Sequence, residues 1–463
     1  VVLFVVAVAI VLAAGAGLGG YVLTRDIRVH RAAAQPTTAS PTPSALASAT
    51  DAPATATPAP RAVQPLPAGV AAALAAAAAD PALGGRVLGE VADGLSGAVL
   101  YSRSAATPAA PASTGKLLTA AALFTVRAPT ARLSTRVLAG PAGTVVLVGG
   151  GDPTLTGAPS GRPGAYAGAA RISDLAAQVR RALAASRGTV TRIVVDDSLF
   201  AGPSVSPDWA PEDVPSDYAS AITAVIADGG RATPRAAIRS ATPDLAAGRE
   251  LAAALGIAAA PVTRGTAPPG AKPLAAVNSP PLSVLVEQML QSSDNVIAEC
   301  LARQVALATA KPASFTGAAA AIRSTLAGLG VDPGAGMRDG SGLAADDRVS
   351  PAALAGVLRL VVGAAHPALH DIVTALPVAA WSGTLTDRYL PDSTSARGAG
   401  VVRAKTGTLT AVSSLAGIVH DADGRVLVFA VIADAVPPGV EATRAAEAAL
   451  DRLAATLAGC GCR

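Results

Sequence analysis

The pattern of apolar positions changes twice along the chain. Val1 to Leu23 carries no charged residue, and at about 1.5 Å per residue such a run is long enough to cross a bilayer core. Residues 33 to 66 lose all periodicity and are almost entirely Ala, Pro, Thr and Ser. That composition buries too little surface to fold, and its prolines keep it extended. From residue 67 onward, helical and strand patterns alternate. The expected organisation is a membrane anchor or signal segment over 1–23, a Pro/Ala/Thr-rich linker over 24–66, and a folded body beyond. The sequence opens on Val with no basic residues before the apolar run, which implies a trimmed start and leaves orientation unread. Ala14-Gly15-Ala16 is a weak cleavage match, so anchor and cleaved signal both stay open. Either way the body is exported.

Within the body, Ala71 to Ala79 has helix composition. Two strand-like runs follow, Arg86–Val91 and Gly97–Tyr101, separated by the hairpin signal Asp93-Gly94. Ser113 to Phe124 predicts a helix. Between 131 and 275 the character changes: short Val-rich runs (Thr144–Val148, Arg192–Val195) alternate with Pro/Gly joints and a helix around Ile172–Ala185. Leu282–Val305 reads as one long helix and Pro351–Val362 as another. Val401–Lys405, Ser413–Val419 and Val426–Ile432 form three successive strand patterns, and Glu441–Leu457 closes the body as an amphipathic helix. Strands at both ends with helices between predict an α+β fold. One antiparallel sheet, flanked by helices, is built from 67–130 and 276–457; 131–275 is an inserted subdomain and 458–463 a tail.

Composition then removes whole classes of function. The chain of 463 residues is 51% hydrophobic and only 3% aromatic, with 36 basic against 32 acidic residues. Beyond residue 66 the balance is nearly even, so the basic stripe of a nucleic-acid binder is missing. Three cysteines (Cys300, Cys460, Cys462) and four scattered histidines do not form a zinc framework, and nothing calls for a cofactor. Cys300 reads as a small buried apolar residue. Pairing of Cys460 with Cys462 is expected to be strained, and no spacing supports a bridge elsewhere.

Lysine carries the chemical signal. Arg outnumbers Lys thirty-two to four, so Arg serves wherever a cation alone is needed. Arg cannot lose its proton, whereas a desolvated Lys can act as a base. Lys116 lies in Ser113-Thr114-Gly115-Lys116, where one helical turn puts Ser and Lys on the same face. A Ser at a helix start also has backbone N–H groups aimed at developing negative charge, the arrangement an activated nucleophile needs. Lys405 lies in Lys405-Thr406-Gly407-Thr408 at the end of a strand pattern, where a cation can hold an anion and Gly407 permits close approach. Ser293-Asp294-Asn295 interrupts an apolar helix with polar groups that need partners or a task. Each motif alone is weak; all three in order arise by chance on the order of once in several thousand chains.

Together the motifs resemble the penicillin-binding and serine β-lactamase superfamily, which combines Ser-x-x-Lys, Ser-Asp-Asn and Lys-Thr-Gly. Gly149-Gly150-Gly151-Asp152-Pro153-Thr154-Leu155, Val195-Asp196-Asp197-Ser198-Leu199-Phe200, Asp339-Gly340-Ser341-Gly342-Leu343 and Trp381-Ser382-Gly383-Thr384-Leu385 narrow the likeness. They resemble the D-alanyl-D-alanine carboxypeptidase/endopeptidase family of low-molecular-mass class C penicillin-binding proteins, over about 67 to 457. The resemblance implies that Ser113 attacks a D-Ala-D-Ala peptide with Lys116 as base. It implies an oxyanion hole from the backbone of Ser113 and Thr408, a proton relay through Ser293, and substrate contacts from Asn295, Lys405, Thr406, Gly407 and Thr408. Asp152 is a candidate for an amino group on the peptide, or else forms a turn before Pro153. The implied partners are peptidoglycan stem peptides and β-lactam inhibitors, with the membrane met through the N-terminal segment and the oligomeric state unread.

Two departures from the family stand out. Only 180 positions separate Ser113 from Ser293, which implies that a subdomain common among relatives is missing. Ala344-Ala345 follows Gly342-Leu343 where relatives commonly carry Ser-Arg, leaving Arg348 as the nearest replacement for a substrate contact. The alternatives are a catalytically idle cell-wall-binding protein that retains the fold, or a β-lactamase-like hydrolase. A Ser-His-Asp hydrolase fits poorly, because no G-x-S-x-G elbow is present.

Overall fold

The structure, a computed structural model, describes residues 62–184 and 188–463. The apolar run over 1–23, and the linker apart from its last five residues, lie outside them. Among the described residues no single helix is long and apolar enough to cross a membrane.

The architecture is α+β. Five antiparallel strands form the main sheet in the order β2-β1-β10-β9-β8. They are β1 (Val87–Asp93), β2 (Val99–Arg103), β8 (Arg403–Leu409), β9 (Val412–His420) and β10 (Val426–Ala433). The first and last parts of the body thus meet in one sheet, with β1 pairing β10 from Val87↔Ala433 to Asp93↔Leu427. β1 is buried at every position because both faces of the sheet are covered, and side chains alternate between the two. Leu88, Ile418, Val428, Ala430 and Ile432 face a core shared with helices α2 (Lys116–Val126), α5 (Leu282–Ser292), α6 (Asn295–Ala308), α7 (Phe315–Ala327), α8 (Pro351–Val362) and α9 (Asp371–Ala375). Val87, Val91, Leu415, Phe429 and Val431 face the other way, onto α1 (Pro67–Ala78) and α10 (Val440–Ala458). Alanine lets these layers approach closely: Ala120, Ala121 and Ala122 of α2 are all fully buried.

A second sheet is drawn from residues 134–278, in the order β6-β5-β4-β3-β7. It is built from β3 (Ser134–Ala139), β4 (Thr144–Val148), β5 (Arg192–Asp196), β6 (Val262–Arg264) and β7 (Pro273–Asn278). β4 pairs β5 in parallel, and so does β5 with β6. Parallel neighbours need long crossovers, supplied here by α3 (Ile172–Ala184) and α4 (Pro243–Leu255). Leu175, Val179 and Leu251 of these helices pack on Val145, Leu147, Ile193 and Val195.

Two local expectations are corrected. The long helix expected over Leu282–Val305 is two helices, because Ser293 turns left-handed (φ 57°) and ends α5. Asp294 then caps α6, its side chain accepting from the backbone N–H of Val296 and Ile297, as an N-cap aspartate does. The helix expected from Ser113 opens instead as a 3-10 turn, Ala112–Gly115, before α2 begins at Lys116. Cys300 is buried, as its sequence context implied, and is a free thiol, while Cys460 and Cys462 are paired with each other.

Candidate active site

Ser113 sits where the 3-10 turn meets the sheet. Ala112, just before it, is held at φ 48°, a conformation that costs a non-glycine residue about 1–2 kcal/mol and that recurs at functional sites. The turn is tied down from β9, where Ser414 Oγ donates to the Pro111 carbonyl at 2.7 Å. Gly407 of β8 passes so close that a Cβ there would stand 3.0 Å from the Ser113 nitrogen and 2.8 Å from the Pro111 oxygen. This close approach, not a special dihedral angle, is what requires glycine.

Lys116 is completely buried one turn further on. Its ammonium donates to Ser113 Oγ at 2.8 Å, Asn295 Oδ1 at 2.6 Å and the Ser341 carbonyl at 2.7 Å. Three donors meet three acceptors, so losing one proton leaves two bonds intact and turns the lone pair toward Ser113 Oγ. Burial pushes the Lys116 pKa down to about 8, although the carboxylates of Asp339, Asp294, Glu299 and Asp347 favour the charged form. Such a group can take the hydroxyl proton near neutral pH.

The other motifs arrive by different routes. Ser293 and Asn295 flank the break between α5 and α6. Asp294 between them is clamped by Arg239, whose Nη2 donates to Oδ2 at 2.7 Å, and by the Tyr166 hydroxyl at 2.7 Å. Burial alone would raise the Asp294 pKa, but the Arg239 charge and hydrogen bonds overcome it and hold it at about 2. Lys405 is fully buried and donates to the Thr406 carbonyl at 2.9 Å. Burial, and then the charges of Lys116 and Arg388, press its pKa well below the usual value.

β8 is the edge of the main sheet, and its backbone parity is fixed by a bridge. The Ala404 N–H donates to the Pro377 carbonyl, on the side away from β9. Alternation along an antiparallel strand then turns the N–H groups of Thr406 and Thr408 toward the same open side. The Thr408 N–H is thereby available to an oxyanion beside Ser113.

These groups converge on a cavity of about 1150 Å³, lined by Ser113, Ser293, Asn295, Thr406 and Thr408. Lys116 and Lys405 stand behind its wall. Asp152 is not among the residues lining this cavity, and its Oδ1 closes a turn onto the backbone and hydroxyl of Thr154. Arg348 is equally remote, donating to the carbonyls of Ala345 and Asp347. Residues the sequence reading missed include Tyr166, Arg231 and Arg239 from the segment 131–275 and Arg388 and Glu447 near the C-terminal end. None stands at a motif spacing; only the position of Arg388, four residues after Thr384, ties one of them to a quoted segment. Among the described residues no group of three or more His, Cys, Asp and Glu is arranged to hold a metal ion.

The chain was compared with known proteins. The model of the D-Ala-D-Ala carboxypeptidase 3 (S13) family matches residues 70–237 and 231–457. A carboxypeptidase of Mycobacterium tuberculosis is 46% identical over 397 residues, 84% of this chain and 84% of the relative. Carboxypeptidase DacB of Mycolicibacterium smegmatis is 44% identical over 399 residues, 85% of this chain and 84% of the relative. Among solved structures, penicillin binding protein 4 from Haemophilus influenzae shares the fold. Its TM-score is 0.66 at 21% identity, covering 83% of this chain and 97% of that one.

Proposed function

The chain belongs to the D-Ala-D-Ala carboxypeptidase 3 (S13) family, and from that premise we propose that this serine carboxypeptidase works through an acyl-enzyme on Ser113. The observation that carries the reading is the hydrogen-bonded chain from Ser113 Oγ through Lys116 Nζ to Asn295 Oδ1 at the cavity wall. Lys116, as the neutral amine, takes the Ser113 proton while Oγ attacks the carbonyl of the penultimate D-Ala. The N–H groups of Ser113 and Thr408 hold the developing oxyanion. Ser293 passes the proton to the leaving amine, and free D-Ala departs. Asn295 holds the substrate amide, and Lys405, Thr406 and Thr408 face the terminal carboxylate, while Gly407 lets β8 pass close to Ser113. Water then releases the shortened peptide through the same groups in reverse.

The substrates in this reading are peptidoglycan stem peptides, met outside the cytoplasm. β-Lactams, whose strained amide mimics the same bond, acylate Ser113 and stay. The segment 131–275 is an inserted subdomain that walls the cavity and steadies the second motif through Arg239. An apolar N-terminal segment, retained or cleaved, accounts for export.

Incubation of the body with a fluorescent penicillin, followed by mass spectrometry, tests the assignment. An adduct on Ser113 that Ser113→Ala abolishes is expected. No adduct on a protein that melts normally would replace this reading with that of an idle wall-binding protein.

A further inference from the structure

Beside β8 runs a segment to which the three motifs give no task. Thr406 Oγ1 donates to Thr384 Oγ1 at 2.9 Å, and this contact brings Arg388, one turn later, into the lining of the cavity with Thr406 and Thr408. Arg388 is held as a rigid fork. Its Nε and Nη2 donate to Asp451 at 2.8 and 2.6 Å, and Nη2 also reaches the Glu447 carbonyl at 3.0 Å. Its Nη1 has no hydrogen-bond partner among the described residues. The Glu447 side chain, one helical turn before Asp451 on α10, accepts from Thr408 Oγ1 at 2.8 Å and lines the same cavity. A carboxylate of the protein therefore already occupies the hydroxyl that would greet the carboxylate of a substrate.

We infer that Arg388 is the permanent cation of the terminal-carboxylate pocket, and that Glu447 is a built-in competitor which the substrate's carboxylate displaces from Thr408. The inference rests on the function proposed above and adds two specificity-determining residues to it. Lys405 is the weaker anchor of the two basic groups. It is wholly buried, spends a donor on the Thr406 carbonyl, and is pressed toward neutrality by its surroundings. A guanidinium cannot be neutralised in this way, and its planar fork suits a carboxylate. Asp451 fixes the fork on one edge and leaves the opposite edge for a ligand. If Arg388 and Asp451 only pin α10 to the 383–389 segment, changing them alters stability but not preference among substrates.

The experiment compares kcat/KM for a peptide ending in D-Ala-D-Ala with that for its C-terminal primary amide, reading released D-Ala or D-alaninamide by mass spectrometry. The ratio of the two is the readout. Arg388→Gln combined with Asp451→Asn, which leaves no lone buried charge, is expected to cut the ratio about 10- to 100-fold, chiefly through KM. Glu447→Gln removes a like charge and is expected to raise the ratio about threefold to fivefold. Opposite signs at two residues are not the signature of a structural role. An unchanged ratio in the double variant, or a fall in the ratio with Glu447→Gln, overturns the inference. Should the double variant fail to fold, Glu447→Gln decides alone, an unchanged ratio counting against. Failure of the wild-type protein to release D-Ala from the first peptide would instead sink the function on which the inference rests.

Discussion

Replacing Lys116 by Arg, and following the wild-type protein across pH, tests the chemistry at its centre. An ordinary lysine, with a pKa of 10.5, is neutral in about 0.03% of molecules at pH 7, whereas one at about 8 is neutral in about 9%. Burial therefore multiplies the working base about 300-fold. Below pH 8 the second-order rate of Ser113 acylation by a fluorescent penicillin should rise about tenfold per pH unit, and above it the rate should level off. In Lys116→Arg the new guanidinium retains the charge and most of the donors but cannot give up a proton, so acylation should fall by at least about 1000-fold. Glu299, itself pushed up to about 7 by burial, is among the carboxylates that favour the Lys116 ammonium form. Glu299→Gln should therefore move the inflection to lower pH, the observed value belonging to the coupled set of groups. A rate that is flat from pH 6 to 9, or a Lys116→Arg protein that melts normally and keeps a tenth of the rate, would falsify the base assignment.

Three further outcomes follow from the geometry. Gly407→Ala puts a methyl group against Ser414 Oγ, the Pro111 carbonyl and the Ser113 nitrogen. It should cost about 1–3 kcal/mol in thermal unfolding and slow acylation far more than a stability change of that size implies. Asp294 has a folded pKa of about 2 against 3.8 unfolded, so its contribution of about 2–3 kcal/mol is present above pH 4 and is lost as pH falls toward 2. Arg239→Leu strands that carboxylate with Arg231 at 3.8 Å, should destabilise by about 3–5 kcal/mol, and should flatten this acid limb in urea unfolding between pH 2 and 5. Trp209→Phe deletes the Nε1 bond to Asp339 Oδ2 at 2.7 Å while a ring can still pack edge-on against Phe315. A loss of about 1–3 kcal/mol in a melting experiment is expected, and no loss would mean that the bond does not steady the Asp339–Gly342 loop.

Signals confined to a few neighbouring residues were legible from the start. The hairpin of β1 and β2, the strands at 144–148 and 192–196, and the three motifs all rest on periods of two or 3.6 residues or on one helical turn. The break at Ser293 was not legible in this way. The apolar stripe continues across it from α5 into α6, so periodicity reads one helix where a left-handed Ser and a capping Asp make two. Asp152 stays open between two readings for the opposite reason: an acid before proline has a local use in its turn, here through Oδ1 onto Thr154, and no local pattern says whether the rest of its side chain serves a site.

The sequence by itself determined which groups the protein possesses and in what order: a Ser one turn from a Lys, a second Lys on a strand, and an Asn in a polar break. It also fixed the two-sided alternation of the central strands, because each residue's face follows from its neighbours. Only the tertiary structure decided that Lys116 meets Asn295, 179 positions away, and the Ser341 carbonyl. The same packing decided that Arg239, 55 positions earlier, neutralises Asp294, and that Arg388 and Glu447 share the wall with Thr408. Backbone geometry sets interactions within about four residues, whereas contacts between distant segments depend on how whole layers pack. The pKa of Lys116 depends on the same thing, because it is the removal of water by those layers that brings an ordinary cation down toward neutral pH.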